Sequence, residues 1–257
     1  MTTGVLAATC ALIGLALGSF LNVVIHRVPL RQSVVTPRSR CPACATELAD
    51  RDNIPVISWL VLGGKCRTCG APISVRYPAV EVLTAVLFAA MAVRLGSDWS
   101  LPSFLLFTAV LIAVSFIDIE HYIVPNRIVL FALTTSVPLL GATATFDHRG
   151  AEMRDALVGS VSASGALFLL HLAYPRGMGM GDVKLALVLG LYLGWLGLDH
   201  VFLGVFLGFL LGSVVGVALI ATGLRTRSQH LPFAPFLAGG SLLAVFVGDV
   251  VLKWYLR

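Results

Sequence analysis

Apolar residues arrive in this chain in runs too long for a soluble core. A helix needs about 20 predominantly apolar residues to cross the hydrocarbon of a bilayer, where it can satisfy all its own backbone hydrogen bonds. On that criterion the sequence predicts about eight membrane helices, over 4–26, 78–95, 101–118, 123–141, 156–174, 181–197, 199–223 and 234–252. Composition agrees, since 58% of residues are hydrophobic and only 12% charged, and the mean hydropathy is +0.92. The expected fold class is therefore an all-α polytopic membrane protein whose first partner is the lipid bilayer.

The first run lies near the amino terminus, where a signal peptide would lie. No basic residue precedes it, however, and its apolar length exceeds the 7 to 15 residues of a signal core, so it reads as a retained anchor. Lys and Arg near helix ends favour the cytoplasmic side. An outside amino terminus leaves thirteen of the 18 basic residues inside, with Arg94, Arg149, Arg154, Lys253 and Arg257 outside. With an even helix number the carboxyl terminus is also outside. The net charge of +5 then reports topology, and no nucleic acid partner is implied.

Residues 27–77 are the one long polar stretch, and this orientation makes it cytoplasmic. It carries "CPAC" (Cys41, Cys44) and "CRTC" (Cys66, Cys69). Two such knuckles match a tetrathiolate zinc site, and a reducing compartment argues against disulfides. Four protein thiolates close the coordination sphere, so this zinc is structural and chemistry belongs elsewhere. Cys10, alone in the first helix, reads as a packing residue. The expected organisation is a first helix over 1–26, a zinc-binding loop over 27–77 and a membrane core over 78–257.

Acidic residues at membrane helices mark function more often than structure, because a charge in hydrocarbon is costly. Glu81, Asp118 and Asp182 all fall at inferred cytoplasmic helix ends, which sets the two aspartates at one membrane depth. Two close carboxylates share a proton, so one can act as base on water while the other polarises a carbonyl, as in aspartic proteases. Gly179 and Gly181 in "GMGMGD" would let a substrate backbone approach. The competing reading is electrostatic: Asp182 and Glu81 lie near helix amino termini, where the macrodipole favours a carboxylate without catalysis. Asp118 closes its helix, so that account is weaker for it.

Six motifs in order make the pattern specific: "GSFLNVVIHRVP" (18–29), the CPAC and CRTC pair, the stretch from "DNIPVISW" to "YPAVEVLTA" (52–85), "IDIEHYIVPN" (117–126), "GMGMGDVKLALVLG" (177–190) and "PFAPFLAGG" (232–240). Over nearly its whole length the chain resembles the type IV prepilin peptidases, the bacterial branch of the GxGD membrane aspartic proteases. The resemblance implies an inner-membrane enzyme that removes the basic leader of prepilins or pseudopilins after a glycine at the cytoplasmic face. It further implies methylation of the new amino terminus with S-adenosylmethionine. By the same resemblance Asp118 and Asp182 are the catalytic pair, with Gly179, Gly181, Lys184 and Glu81 as supporting residues. Many relatives carry an acid where this chain has Asn126. No dinucleotide-type glycine turn follows a strand here, so no residue can be assigned to the methyl donor.

Three rivals compete. A proton- or cation-coupled transporter would place its acids near mid-bilayer with related halves. A presenilin-like protease would carry a late Pro-Ala-Leu motif, which is absent from the sequence. A zinc-stapled assembly factor would require neither aspartate. His26, His121, His171 and His230 receive no role. "TRSQH" (226–230) reads as a solvated loop and "LKWYLR" (252–257) as an interfacial anchor.

Overall fold

The computed structural model describes residues 2–175, 177–224, 226 and 231–255. His230 and all of "TRSQH" except Thr226 lie outside the described residues, as do Leu256 and Arg257. Among the described residues the structure is helical, with two isolated bridges in the polar loop. The helices are α1 (Thr3–Arg27), the short α2 (Ile57–Val61), α3 (Arg76–Leu95), α4 (Leu101–His121), α5 (Asn126–Phe146), α6 (Gly150–Ala173), α7 (Met180–Leu196), α8 (Leu198–Ala221) and α9 (Ala234–Tyr255).

Seven of them are long and apolar enough to cross a membrane. The remaining long one, α7, has only 17 residues. It contacts α5, α6, α8 and α9, and its residues from Val183 to Trp195 are buried with few interruptions. A helix enclosed by its neighbours is apolar all round, so α7 reads as a membrane span although it is the shortest of the long helices.

Helix ends depart from the apolar runs where polar residues continue the backbone ladder. α4 continues to His121, past Asp118, and α6 begins at Gly150 rather than near 156. Hydropathy marks the stretch that leaves water, whereas the helix ends where the hydrogen-bond ladder stops.

Packing divides the chain into two compact units, the first ending at Leu101 and the second beginning at Pro102. In the first, α3 lies along α1. A Cβ on Gly18 would come 2.7 Å from Glu81 Cα, which is the close approach that small residues permit between membrane helices. Higher up the same interface, Asn22 Nδ2 donates to Tyr77 O at 3.1 Å.

In the second unit the same device joins α6 to α7: a Cβ on Gly190 would lie 2.1 Å from Gly159 O. Ser160 and Ser164 on α6 donate to the Leu187 and Val183 carbonyls of α7 at 2.8 and 2.9 Å. Tyr192 stacks on Phe107 of α4 with ring centroids 4.3 Å apart, and its hydroxyl lies 2.6 Å from that of Ser136 on α5. Together these contacts fix α7, and with it the residue at the head of α7.

Candidate active site

The head of α7 is built by glycine. Gly179 is its N-cap residue, in extended conformation, and Asp182 is the third residue of the helix. The Asp182 carboxylate reaches back to the Gly179 amide, and the Asp182 amide donates to Gly179 O at 3.1 Å. A carboxylate at this position satisfies an orphan amide of the first turn. The capping account of Asp182 is therefore correct as far as it goes.

Burial takes Asp182 beyond a cap. Only 8% of it is exposed, and only 5% of Asp118. The two carboxylates, distant in sequence, are close enough for the Asp118 charge to act on Asp182. Asp118 lies near the end of α4, where the helix dipole disfavours it, but α9 offsets this. Asp118 Oδ2 accepts the Ala234 amide, the first residue of α9, at 3.0 Å, and accepts the Phe233 amide as well. An anion thus sits at the positive end of α9. These backbone donors lie in the "PFAPFLAGG" motif and have no side-chain signature that a sequence could reveal.

The segment joining α4 to α5 closes the site. A Cβ on Gly181 would lie 2.9 Å from Val124 Cβ and 3.3 Å from its Cγ2, so the first turn of α7 rests directly on Val124. Lys184 Nζ donates to Asn126 Oδ1 at 3.0 Å. Lys184 thus bridges two motifs, with Asn126 as a neutral acceptor. His171, assigned no role from sequence, holds the glycine-rich loop: its Nδ1 lies 2.8 Å from Met178 O at the end of α6. The loop could have been traced to His171 only through this contact.

Glu81 belongs to the first unit. It is buried there, and its Oε2 accepts the Val56 amide at 2.7 Å. Val56 has φ 60° and ψ −50°, and the Ile57 amide bonds back to Pro55 O, which defines a γ-turn of the rare strained kind. Glu81 therefore holds a strained β-branched residue in place.

The polar loop carries the metal-capable centre. Sγ atoms of Cys41, Cys44, Cys66 and Cys69 all lie within 4.8 Å of one another, and Cys41 and Cys69 Sγ are 3.8 Å apart. A tetrahedral zinc with bonds of about 2.3 Å has ligand edges of about 3.8 Å, so the donor set fits the ion. The two knuckles have one design: the Cys41 amide bonds to Thr46 O at 2.9 Å and the Cys66 amide to Ala71 O at 2.8 Å. Bridges pair Arg40 with Glu47 and Lys65 with Pro72. The Thr46 hydroxyl, then its amide, lowers the Cys44 thiol to about 6, and the Cys69 and Thr68 amides lower Cys66. Cys69 moves the other way, to about 11: the Ala71 amide pulls it down, but desolvation and hydrogen bonds with the other three thiols outweigh that pull. A divalent cation would remove this mutual resistance to ionisation.

Two family models match the chain. Residues 12–95 match one described as Bacterial Peptidase A24 N-terminal domain, and residues 105–248 match the Type IV leader peptidase family. A protein named Prepilin leader peptidase/N-methyltransferase in Aeromonas hydrophila is 37% identical over 276 residues, covering 95% of this chain and 92% of the relative. One of the same name in Bacillus subtilis (strain 168) is 39% identical over 246 residues, covering 95% of each. Another, in Pseudomonas aeruginosa, is 36% identical over 276 residues, covering 96% and 92%. No solved structure matches.

Proposed function

The chain belongs to the type IV leader peptidase family, and from that premise we propose that Asp118 and Asp182 cleave the leader from prepilins or pseudopilins and that the same enzyme methylates the amino terminus so exposed. The observation that carries this reading is the pairing of two buried carboxylates in one unit, one on the amides that open α9 and the other on the Gly179 amide.

Peptide hydrolysis follows from that pair. The dyad holds one proton between two carboxylates. The ionised member accepts a proton from water as the water attacks the scissile carbonyl carbon, and the protonated member donates to the carbonyl oxygen. The resulting tetrahedral species collapses as a proton passes to the departing amine. Gly179 keeps a side chain clear of the Asp182 carboxylate, Gly181 lets the first turn of α7 rest on Val124, and Lys184 joins α7 to the segment that supports it. Glu81 supports the enzyme from the first unit by holding Val56.

Zinc, bound by Cys41, Cys44, Cys66 and Cys69, would supply cohesion to residues 27–77 and no chemistry, because four thiolates leave no open position. The methyl donor is S-adenosylmethionine. The protein is a multi-pass protein of the bacterial inner membrane, and we place the zinc loop in the cytoplasm with the amino terminus outside, where the basic residues favour it. A transporter reading receives no support from the relatives.

The test is co-reconstitution of a prepilin with wild type, Asp118→Asn and Asp182→Asn, following the leader by gel and the mature amino terminus by mass spectrometry. Loss of cleavage in both folded variants, together with a methyl group on the wild-type product, is expected. Full cleavage by either variant would remove the dyad.

A further inference from the structure

The first unit contains a cleft that the peptidase chemistry does not use. Its volume is about 420 Å³. One wall is the face of α1 from Ala16 through Phe20 and Val23 to Arg27, and the other is the polar loop from Val34 to Pro55. Neither the four cysteines nor any residue of the second unit lines it.

The cleft is held open by its own walls. The Arg27 guanidinium donates to Ser33 O at 3.0 Å and to Arg38 O at 3.4 Å, which fastens the loop to the end of α1. Arg38 pairs with Asp50. The Leu48 amide bonds to Ser39 O at 2.9 Å beside the first cysteine knuckle, so the knuckle and this wall are built from one continuous segment. On the far side, Pro55 adjoins Val56, whose strained turn is held by Glu81. A preformed cleft of this size lies within the roughly 300–1,000 Å³ range of small-ligand sites.

We propose that this cleft is the site of the methyl donor, an adenosyl amino acid. The proposal rests on the bifunctional reading above. Three chemical features converge here. Phe20 and Val23 supply an apolar, partly aromatic wall for a purine. The Asp50 carboxylate and the Asn53 amide suit ribose hydroxyls and an α-ammonium group. The Arg27 guanidinium suits an α-carboxylate. A basic leader peptide fits less well, because two arginines line the cleft against one carboxylate. The whole cleft falls within the match to the N-terminal domain, and the match to the leader peptidase family begins only at residue 105.

The experiment uses the full-length, zinc-loaded enzyme in nanodiscs of zwitterionic lipid, with S-adenosylhomocysteine as the probe in isothermal titration. Val23→Trp fills the cleft, and Asp50→Asn removes its carboxylate. Both should weaken binding roughly tenfold or more, with prepilin cleavage and zinc content unchanged. Light-driven crosslinking of methyl-labelled S-adenosylmethionine to wild type should map to peptides within residues 16–55. Wild-type affinity in both variants, or crosslinks confined to residues after Pro102, would overturn the site while leaving the bifunctional reading intact. Competitive displacement of the probe by an anionic phospholipid would assign the cleft to lipid and also overturn it. A wild type that neither binds the probe nor methylates product would overturn the second activity itself, and the site with it.

Discussion

Gly181→Ala should slow cleavage, and the reason can be worked from distances. In an ordinary helix the change is stabilising by about 0.5–1 kcal/mol, because alanine loses less backbone freedom on folding. Here the new methyl would sit 2.9 Å from Val124 Cβ and 3.3 Å from its Cγ2, against an optimal carbon separation of about 3.5–4.0 Å. The first turn of α7 or the Val124 segment must move by roughly 0.6–1 Å to relieve this. Asp182 is the next residue, and a misplacement of about 1 Å costs roughly 10²-fold in rate. Val124→Gly removes both crowding carbons and leaves Val124 N as the nearest remaining neighbour at 3.5 Å, an ordinary contact. The measurement is kcat for prepilin cleavage across wild type, both single variants and the double variant, with thermal unfolding in the same nanodiscs. Gly181→Ala alone should fall by about 10–10²-fold and Gly181→Ala/Val124→Gly should recover most of it. A single variant that is as active as wild type and more stable would refute the close contact. Failure of the double variant to recover would show that the glycine is needed for a reason other than Val124.

Three further outcomes follow from named contacts. Asp118→Ala orphans the buried Ala234 amide, at a cost of about 1–3 kcal/mol, whereas Asp118→Asn keeps an acceptor and should cost less than half as much; thermal unfolding of the two inactive variants distinguishes this from a purely catalytic aspartate, for which they would unfold alike. After chelation at pH 7, iodoacetamide should modify Cys44 before Cys69, although Cys69 is the more exposed, because a thiol lowered to about 6 is mostly ionised there and one raised to about 11 is not; peptide mapping that finds the reverse order would show exposure to govern. Asn126→Asp converts the Lys184 contact into an exposed ion pair and should stabilise by at most about 1 kcal/mol, a gain that must vanish in the Lys184→Ala background if this contact is its source.

Much of this protein was legible from residue order, because two of its constraints act locally. The bilayer demands helices with long apolar runs, so the all-helical membrane architecture follows from hydropathy. Two closely spaced thiol pairs reach one ion through short loops, so the Cys41, Cys44, Cys66 and Cys69 cluster follows from spacing. What tertiary structure decided lies wherever a contact joins distant segments through groups without a side-chain signature. The Ala234 amide that neutralises the unfavourable position of Asp118 is backbone, and no residue type announces it. Val124 acquires meaning only because Gly181 rests on it. Likewise α3 resembles every other membrane helix by composition, and only its packing against Gly18 groups it with α1. Apolar character records that a residue leaves water, and it is complementary shape at close range that determines which neighbour it meets.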